Sequence, residues 1–322
     1  MEKLLKWSLE NSQNAGIDPN SQQRQKAPDP EVLAQLFGQP DDAQLMRAAM
    51  ETILDPNLDL EAKETAFDNL EMLVENLDNA NNLESLGLWE PLIEQLANES
   101  PVLRKMACWV IGTAVQNNPK SQAALLMYPK AIPYLTNLAA KDPSKEVRLK
   151  AMYSLSSAIR NHASGYESFK NAEGWQVLAS IIRQATQINN PDDQTDIPDS
   201  QRHLHESDED IRRRSIFLLA GILSTEPLKD KIEILRSLSA VPSLLELLHV
   251  EGSYSAIEKI VQILLVIAKS QGGLTGEEKE AIRKGLARAK KDGLVDLDET
   301  QNDELTAEWR ILEQEIGSGN VK

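Results

Sequence analysis

Cysteine is nearly absent. Cys108 stands alone in 322 residues, so no disulfide can form within the chain. It lies in the apolar run Ala107-Cys-Trp-Val, which reads as a buried core thiol rather than a reactive one. Aromatics are scarce at 4 %, while Leu and Ala dominate the apolar 41 %, a balance that suits helices better than sheets. Cations are also short: 34 Lys plus Arg face 50 Asp plus Glu, for a net charge of −16. Neutralising phosphates needs the opposite balance, which excludes bulk nucleic-acid or anionic-membrane binding as function classes. The longest apolar stretches, such as 263–268, are too short to span a bilayer. The opening Met1-Glu-Lys-Leu-Leu-Lys-Trp lacks the apolar core of a signal peptide. The expectation is a soluble, cytoplasmic monomer without a cofactor.

What is present is a repeat. Residues 60–76, 102–117, 147–161, 211–225 and 256–270 share one template. Ala66, Ala107, Ala151, Ser215 and Ala256 align. Four residues on come Leu70, Ile111, Leu155, Leu219 and Ile260, and four further on Val74, Val115, Ile159, Leu223 and Leu264. This i, i+4, i+8 spacing makes one helical face, and its small first residue lets a neighbouring helix approach closely. A second helix recurs at Trp89, Ile132, Trp175 and Val241. Pro91, Pro133 and Pro242 stand in its first turn, where a missing N–H costs nothing, and Gln176 replaces proline in the third copy. A short third helix lies between, as in Asn118-Pro-Lys-Ser-Gln. Three helices per unit predict an all-α, right-handed armadillo-like solenoid of about four to five repeats. In domain terms this gives a flexible arm over 1–30 with a short apolar-basic helix, N-terminal capping helices over 31–59, repeats over 60–272, and C-terminal caps and tail over 273–322. The acidic, proline-bearing stretch 189–208 reads as a disordered surface insertion.

No reactive constellation is present. There is no phosphate-binding glycine loop, no paired Cys-x-x-Cys, no zinc-protease helix and no nucleophile elbow. His203 and His205 form a His-x-His pair beside Glu206 and Asp208, but a solvated acidic loop is the better reading than a metal site. His162 and His249 suit helix ends. The chain reads as a binding protein, not an enzyme.

In armadillo units the long helices line the concave face. The inward positions are Asp68 and Met72; Lys105, Trp109 and Thr113; Tyr153 and Ser157; and Arg213, Phe217 and Gly221. Nuclear-import adaptors carry a ladder of Trp and Asn at two of these positions. Here Trp109 is the only Trp, and the Asn position reads Met72, Thr113, Ser157 and Gly221, so that cargo role is disfavoured. Cations gather at the starts of the long helices: Arg104 and Lys105, Arg148 and Lys150, then Arg212, Arg213 and Arg214. They form either a basic contact stripe or ordinary salt-bridged arginines against Asp208, Glu209 and Asp210.

The segments Met1-Glu-Lys-Leu-Leu-Lys-Trp-Ser, Pro28-Asp-Pro, Ala66-Phe-Asp-Asn-Leu-Glu-Met-Leu-Val-Glu-Asn-Leu-Asp-Asn-Ala-Asn-Asn, Leu88-Trp-Glu-Pro-Leu, Ile111-Gly-Thr-Ala-Val-Gln-Asn-Asn and Ala158-Ile-Arg-Asn-His resemble the fungal armadillo-type nucleotide exchange factors of the seventy-kilodalton heat-shock chaperones. The animal chaperone-binding protein of the same type is a more distant look-alike. The specific motifs run to about His162 and the repeat pattern to about Ser270. The resemblance implies that the solenoid embraces one lobe of the chaperone's nucleotide-binding domain and loosens ADP, which promotes client release. Carried over by position, it points to Ala80, Asn81 and Asn82 on an exposed turn after the first long helix, then Arg104, Lys105, Trp109, Arg148, Tyr153, Arg160, Arg213 and Arg214. It also implies a client-mimicking arm carrying Leu4, Leu5, Trp7 and Leu9; a helix docked on the first repeat is the equal alternative. A passive armadillo scaffold or transport adaptor is the competing function. If Ala80 is an exposed contact, Ala80→Arg abolishes chaperone binding while calorimetric unfolding stays nearly unchanged.

Overall fold

The computed structural model describes residues 41–188, 199–250, 253–291 and 304–317, and the arm residues Leu4, Leu5, Trp7 and Leu9 lie outside them. Among the described residues there are sixteen α-helices and no strand. The first two are α1 (Asp42–Leu54) and α2 (Leu60–Val74). Four units of a short, a middle and a long helix follow. They are α3 (Leu77–Ser85), α4 (Trp89–Glu94) and α5 (Pro101–Val115); α6 (Pro119–Leu126), α7 (Ala131–Lys141) and α8 (Lys145–Ile159); α9 (Ala163–Asn171), α10 (Gly174–Ile188) and α11 (Asp199–Leu223); α12 (Lys229–Ser237), α13 (Ala240–Val250) and α14 (Tyr254–Lys269). A 3₁₀ turn, Gln95–Ala97, extends α4, and α15 (Gly276–Lys291) and α16 (Glu304–Gly317) close the chain. The long helices α2, α5, α8, α11 and α14 pack successively, and α16 covers the last of them. The middle helices α7, α10, α13 and α15 form a second row. Two rows stacked unit on unit make a solenoid.

Local chemistry sets the breaks. Asp59 and Asn118 accept from the backbone N–H groups of Ala62 (2.9 Å) and Ser121 (3.3 Å), capping α2 and α6. His162 caps α9 the same way, its Nδ1 accepting from the Gly165 N–H at 3.1 Å. Left-handed residues recur in register: Asn117 and Asn161 after the long helices, Gly87, Glu173 and Ser239 after the short ones. Each reverses the chain within two or three residues. The prolines at 91, 133 and 242 do fall in the first turns of α4, α7 and α13.

The core runs between the rows. Trp89 and Trp175 occupy the same place in α4 and α10 and are fully buried, as are Phe67, Leu70, Ile111, Leu155 and Leu264. Cys108 is buried too, and burial pushes its thiol far above the ordinary range, so it is an inert packing group. No helix among the described residues is long and apolar enough to cross a membrane.

Three expectations change. Residues 199–208 are helical rather than part of a disordered loop: α11 begins at Asp199, where Gln201, Arg202, Leu204 and Glu206 are helix formers among weaker ones, and the helix is continuous with the apolar face after Ile211. Residues 189–198 lie outside the described part. Ala80, Asn81 and Asn82 are not on a turn but within α3, and Ala80 is only 1 % exposed, its carbonyl accepting from Ser121 Oγ of α6 at 3.3 Å. The run is held by Asn79, whose amide donates to Asp42 Oδ2 at 2.8 Å and to the Leu73 carbonyl at 3.0 Å. An arginine at position 80 would bury a charge without a partner. Third, the cation at the start of each long helix is not all contact surface. Arg104 clasps Asp142 of the next unit through Nε (2.7 Å) and Nη2 (3.0 Å), and its Nη1 donates to the carbonyls of Asn98 and Glu99. Arg148 repeats the second half of this clasp on the Asp142 and Pro143 carbonyls.

The far end is closed similarly. Thr275 and Glu278 form a reciprocal capping box (Glu278 N–H to Thr275 Oγ1 at 3.1 Å, Thr275 N–H to Glu278 Oε2 at 2.8 Å), and Arg236 of α12 binds the same carboxylate. These geometries generate two expected outcomes. Ala80→Arg lowers the unfolding temperature along with any loss of binding, as read by calorimetry. Asp142→Ala strands a half-buried guanidinium and lowers the urea-unfolding free energy by about 3 kcal/mol, whereas the Arg104→Met/Asp142→Leu pair loses less than the sum of its singles.

Candidate functional site

The solvent-facing residues on the inner side of the stacked long helices form one continuous surface. Asp68 and Met72 on α2 are exposed, Met72 at 66 %. Lys105, Trp109 and Thr113 on α5 are half-buried, as are Lys150 and Tyr153 on α8, while Arg214 and Phe217 on α11 are exposed. Trp109, Tyr153 and Phe217 hold the same position in three successive units, which makes an aromatic stripe across the repeats. One helical turn repeats in each unit, so one position gives one line across the face.

A polar chain fixes the stripe from beneath. Buried Glu71 accepts from Thr113 Oγ1 at 2.7 Å, and Thr113 Oγ1 lies 3.4 Å from the Tyr153 hydroxyl. That hydroxyl donates to Gln116 Oε1 at 3.0 Å. Three long helices are thereby tied together. Gly112 seats the ring: a Cβ there would stand 2.4 Å from Tyr153 Cε1. Lys150 lies across the stripe, its Nζ 3.8 Å from the Trp109 ring centroid and 5.9 Å from that of Tyr153. Burial lowers the Lys150 pKa, the Glu71 carboxylate opposes this, and Arg214 and Lys105 add to it.

Between α8 and α11 a cleft of about 510 Å³ opens, lined by Leu149, Met152, Tyr153, Arg213, Arg214 and Phe217 among others. Its acidic member, Asp210, is salt-bridged to Lys145 at 2.8 Å, and the hydrogen bond from that lysine holds its carboxyl below the usual range. Arg213 pairs with Glu209 and stands 3.8 Å from Asp210, so its charge is largely matched within its own helix. A second cleft, of about 390 Å³, lies among α8, α9, α11 and α12, with Arg160, Tyr166 and Lys231 in its wall. Lys231 is 4 % exposed yet satisfied: Nζ donates to the Ile222 and Thr225 carbonyls and to Thr225 Oγ1, and it faces the Tyr166 ring at 4.9 Å. Burial lowers its pKa, and its role is to cap α11. Among the described residues no group of three or more His, Cys, Asp or Glu could hold a metal ion.

Of the residues singled out from sequence, the structure therefore brings together Lys105, Trp109, Tyr153, Arg213 and Arg214 on one surface. Arg160 stands apart on the second cleft, Arg104 and Arg148 are clasps, and Asn82 is exposed on α3 while Asn81 is half-buried. Lys150, a member of the possible basic stripe, and Phe217, an inward position, are not among the contacts that the resemblance implies. The shared position of Phe217 with Trp109 and Tyr153 was a visible signal for the second; the ring contact of Lys150 was not.

Comparison with known proteins agrees with this architecture. Residues 1–83 match the family described as "Nucleotide exchange factor Fes1", and residues 79–189 match "SIL1/FES1/HPBP1 C-terminal domain". The "Hsp70 nucleotide exchange factor FES1" of Yarrowia lipolytica is 37 % identical over 305 residues, 94 % of this chain and 97 % of the relative. The protein of that description in Saccharomyces cerevisiae is 38 % identical, covering 87 % of this chain and 90 % of its own length. The chain belongs to the Fes1 family. Among solved structures, the "Designed armadillo repeat protein YIII(Dq.V1)4CPAF in complex with peptide (KR)4" superposes with a TM-score of 0.61 at 18 % identity, over 84 % of this chain and 99 % of the other. SYS-1 superposes at 0.59 and 14 % identity, over 86 % of this chain and 50 % of its own. These likenesses show an armadillo fold, in which the long helices form the inner face.

Because the Tyr153 ring fills the space above Gly112, Gly112→Ala lowers the thermal unfolding free energy by about 1–3 kcal/mol through overpacking. Gly221→Ala, where an added Cβ meets nothing within 4 Å, raises it by up to about 1 kcal/mol through helix propensity. Chemical denaturation of the two variants checks both signs.

Proposed function

We propose that this Fes1-family chain is a nucleotide exchange factor for Hsp70, a cytosolic monomer that works by binding and makes or breaks no covalent bond. The similarity to proteins of that description over nearly the whole chain carries the reading. The surface supports it: Trp, Tyr and Arg side chains on a rigid stacked face are the residue types that dominate protein–protein binding energy. The partner surface is the chaperone's nucleotide-binding domain, held in a conformation with a loosened ADP cleft. Lys105, Trp109, Tyr153, Arg213 and Arg214 are contacts, and Phe217 joins them. Arg104 acts by holding two units in register, and Arg148 by bracing the loop within its own unit. Asn82 and Arg160 contribute at the edges, and Leu4, Leu5, Trp7 and Leu9 engage the client site.

The energetics are modest. Weakening ADP a thousandfold takes about 4 kcal/mol of preference for the open state, and the same factor must weaken exchange-factor binding when ADP returns. A face spanning three units suffices, since a standard interface buries about 800 Å² per partner. A peptide-binding scaffold would share the face but leave nucleotide release untouched. Stopped-flow release of a fluorescent ADP analogue from cytosolic Hsp70 separates the two: acceleration by the wild type supports exchange, and none leaves the scaffold. Phe217→Ala raises the concentration for half-maximal acceleration by about tenfold or more while its unfolding temperature stays close to wild type.

A further inference from the structure

The composition of the inner face poses a selectivity problem. An aromatic stripe on an acidic solenoid is what a lysine- or arginine-rich segment would seek: the net charge of −16 attracts cations at long range, and an indole face binds them at short range. Selection against such segments must therefore be local. The face carries one group placed to supply it. Lys150 Nζ sits 3.8 Å from the Trp109 centroid, within the range of a cation–π contact, and 5.9 Å from Tyr153. Glu71, the carboxylate closest in influence, is buried and already accepts from Thr113. An incoming ammonium would meet a ring face already taken and Lys105 and Arg214 around it.

We propose that Lys150 is an internal stand-in for a cationic ligand, a specificity-determining residue that closes the Trp109 face to basic peptides. The position itself carries this: Lys150 aligns with Met106 in the preceding unit and Arg214 in the following one, so the repeat does not require a lysine there. Its neighbour in the ring contact comes from the adjacent unit, so the slot exists only where α5 and α8 stack. The inference stands apart from the chaperone reading, because it concerns what the face rejects.

The test uses the full chain and a fluorescein-labelled peptide of four Lys-Arg pairs, with anisotropy as the readout. Lys150→Ala tightens binding by about tenfold, the range of one exposed-to-desolvated cation–π contact. Lys105→Ala removes the same charge but leaves the ring covered, and changes binding by less than about threefold. Trp109→Ala added to Lys150→Ala returns affinity to the wild-type level. No gain on Lys150→Ala, an equal gain on Lys105→Ala, or a gain that survives loss of Trp109 would each overturn the proposal. Circular-dichroism melting accompanies each variant, and Lys150→Ser, with the same predicted gain, replaces the alanine variant if that one fails to fold.

Discussion

The solenoid depends on how closely its long helices approach. Ala66, Ala107, Ala151, Ser215 and Ala256 hold the same position on five successive long helices and are each no more than 5 % exposed. A larger side chain at any of them would push two units apart and open the rows of Leu and Ile behind them. Everything on the inner face inherits its spacing from this contact. Trp109, Tyr153 and Phe217 form a line because the helices carrying them are held at a fixed distance and rotation. Tyr153 can lean over Gly112 only because α5 and α8 are that close.

Rigidity between units is then reinforced by charge. Asp142 ends a middle helix, yet it takes the Arg104 guanidinium of the preceding unit, receives the Ser144 N–H at 2.9 Å, and offers its carbonyl to Arg148. A clamp that shifts a partner between two conformations must resist the strain it imposes; otherwise the binding energy is spent on bending the clamp. The Arg104–Asp142 clasp and the Glu71–Thr113–Tyr153 chain both lie across unit boundaries, where a solenoid is otherwise softest.

Much of this was legible in the sequence because a repeat reports its own geometry. The i, i+4, i+8 rows, the first-turn prolines and the capping role of His162 were readable from spacing alone. The arginines were harder to place. Arg104 and Arg148 look like a basic stripe in a list of residues, but their partners include backbone carbonyls six and five positions earlier, which no composition rule exposes. Ala80 reads as a turn residue for a related reason. Asn-rich runs usually mark turns, and here Asn76 caps α3 while Asn79 ties it to Asp42, so the same residues start and anchor a helix. The acidic stretch from Asp199 likewise reads as loop by charge and is helix by continuity with the apolar face that follows.

A general distinction follows from these residues. Where a polar side chain recurs in register and binds the same two carbonyls of the preceding loop, as Arg104 and Arg148 do, the fold of the unit itself uses it. Where register is broken, the fold imposes no choice, and another constraint must set the residue. The position of Lys105 is taken by Leu149 and Arg213 in the next two units, and that of Lys150 by Met106 and Arg214 in the units on either side. The backbone accepts an apolar or a basic residue at both places. What fixes a lysine at 150 is therefore its place over Trp109, a contact with a neighbouring unit that leaves the fold unchanged and alters what the face admits. The specificity of this solenoid is written in the positions where its repeats disagree.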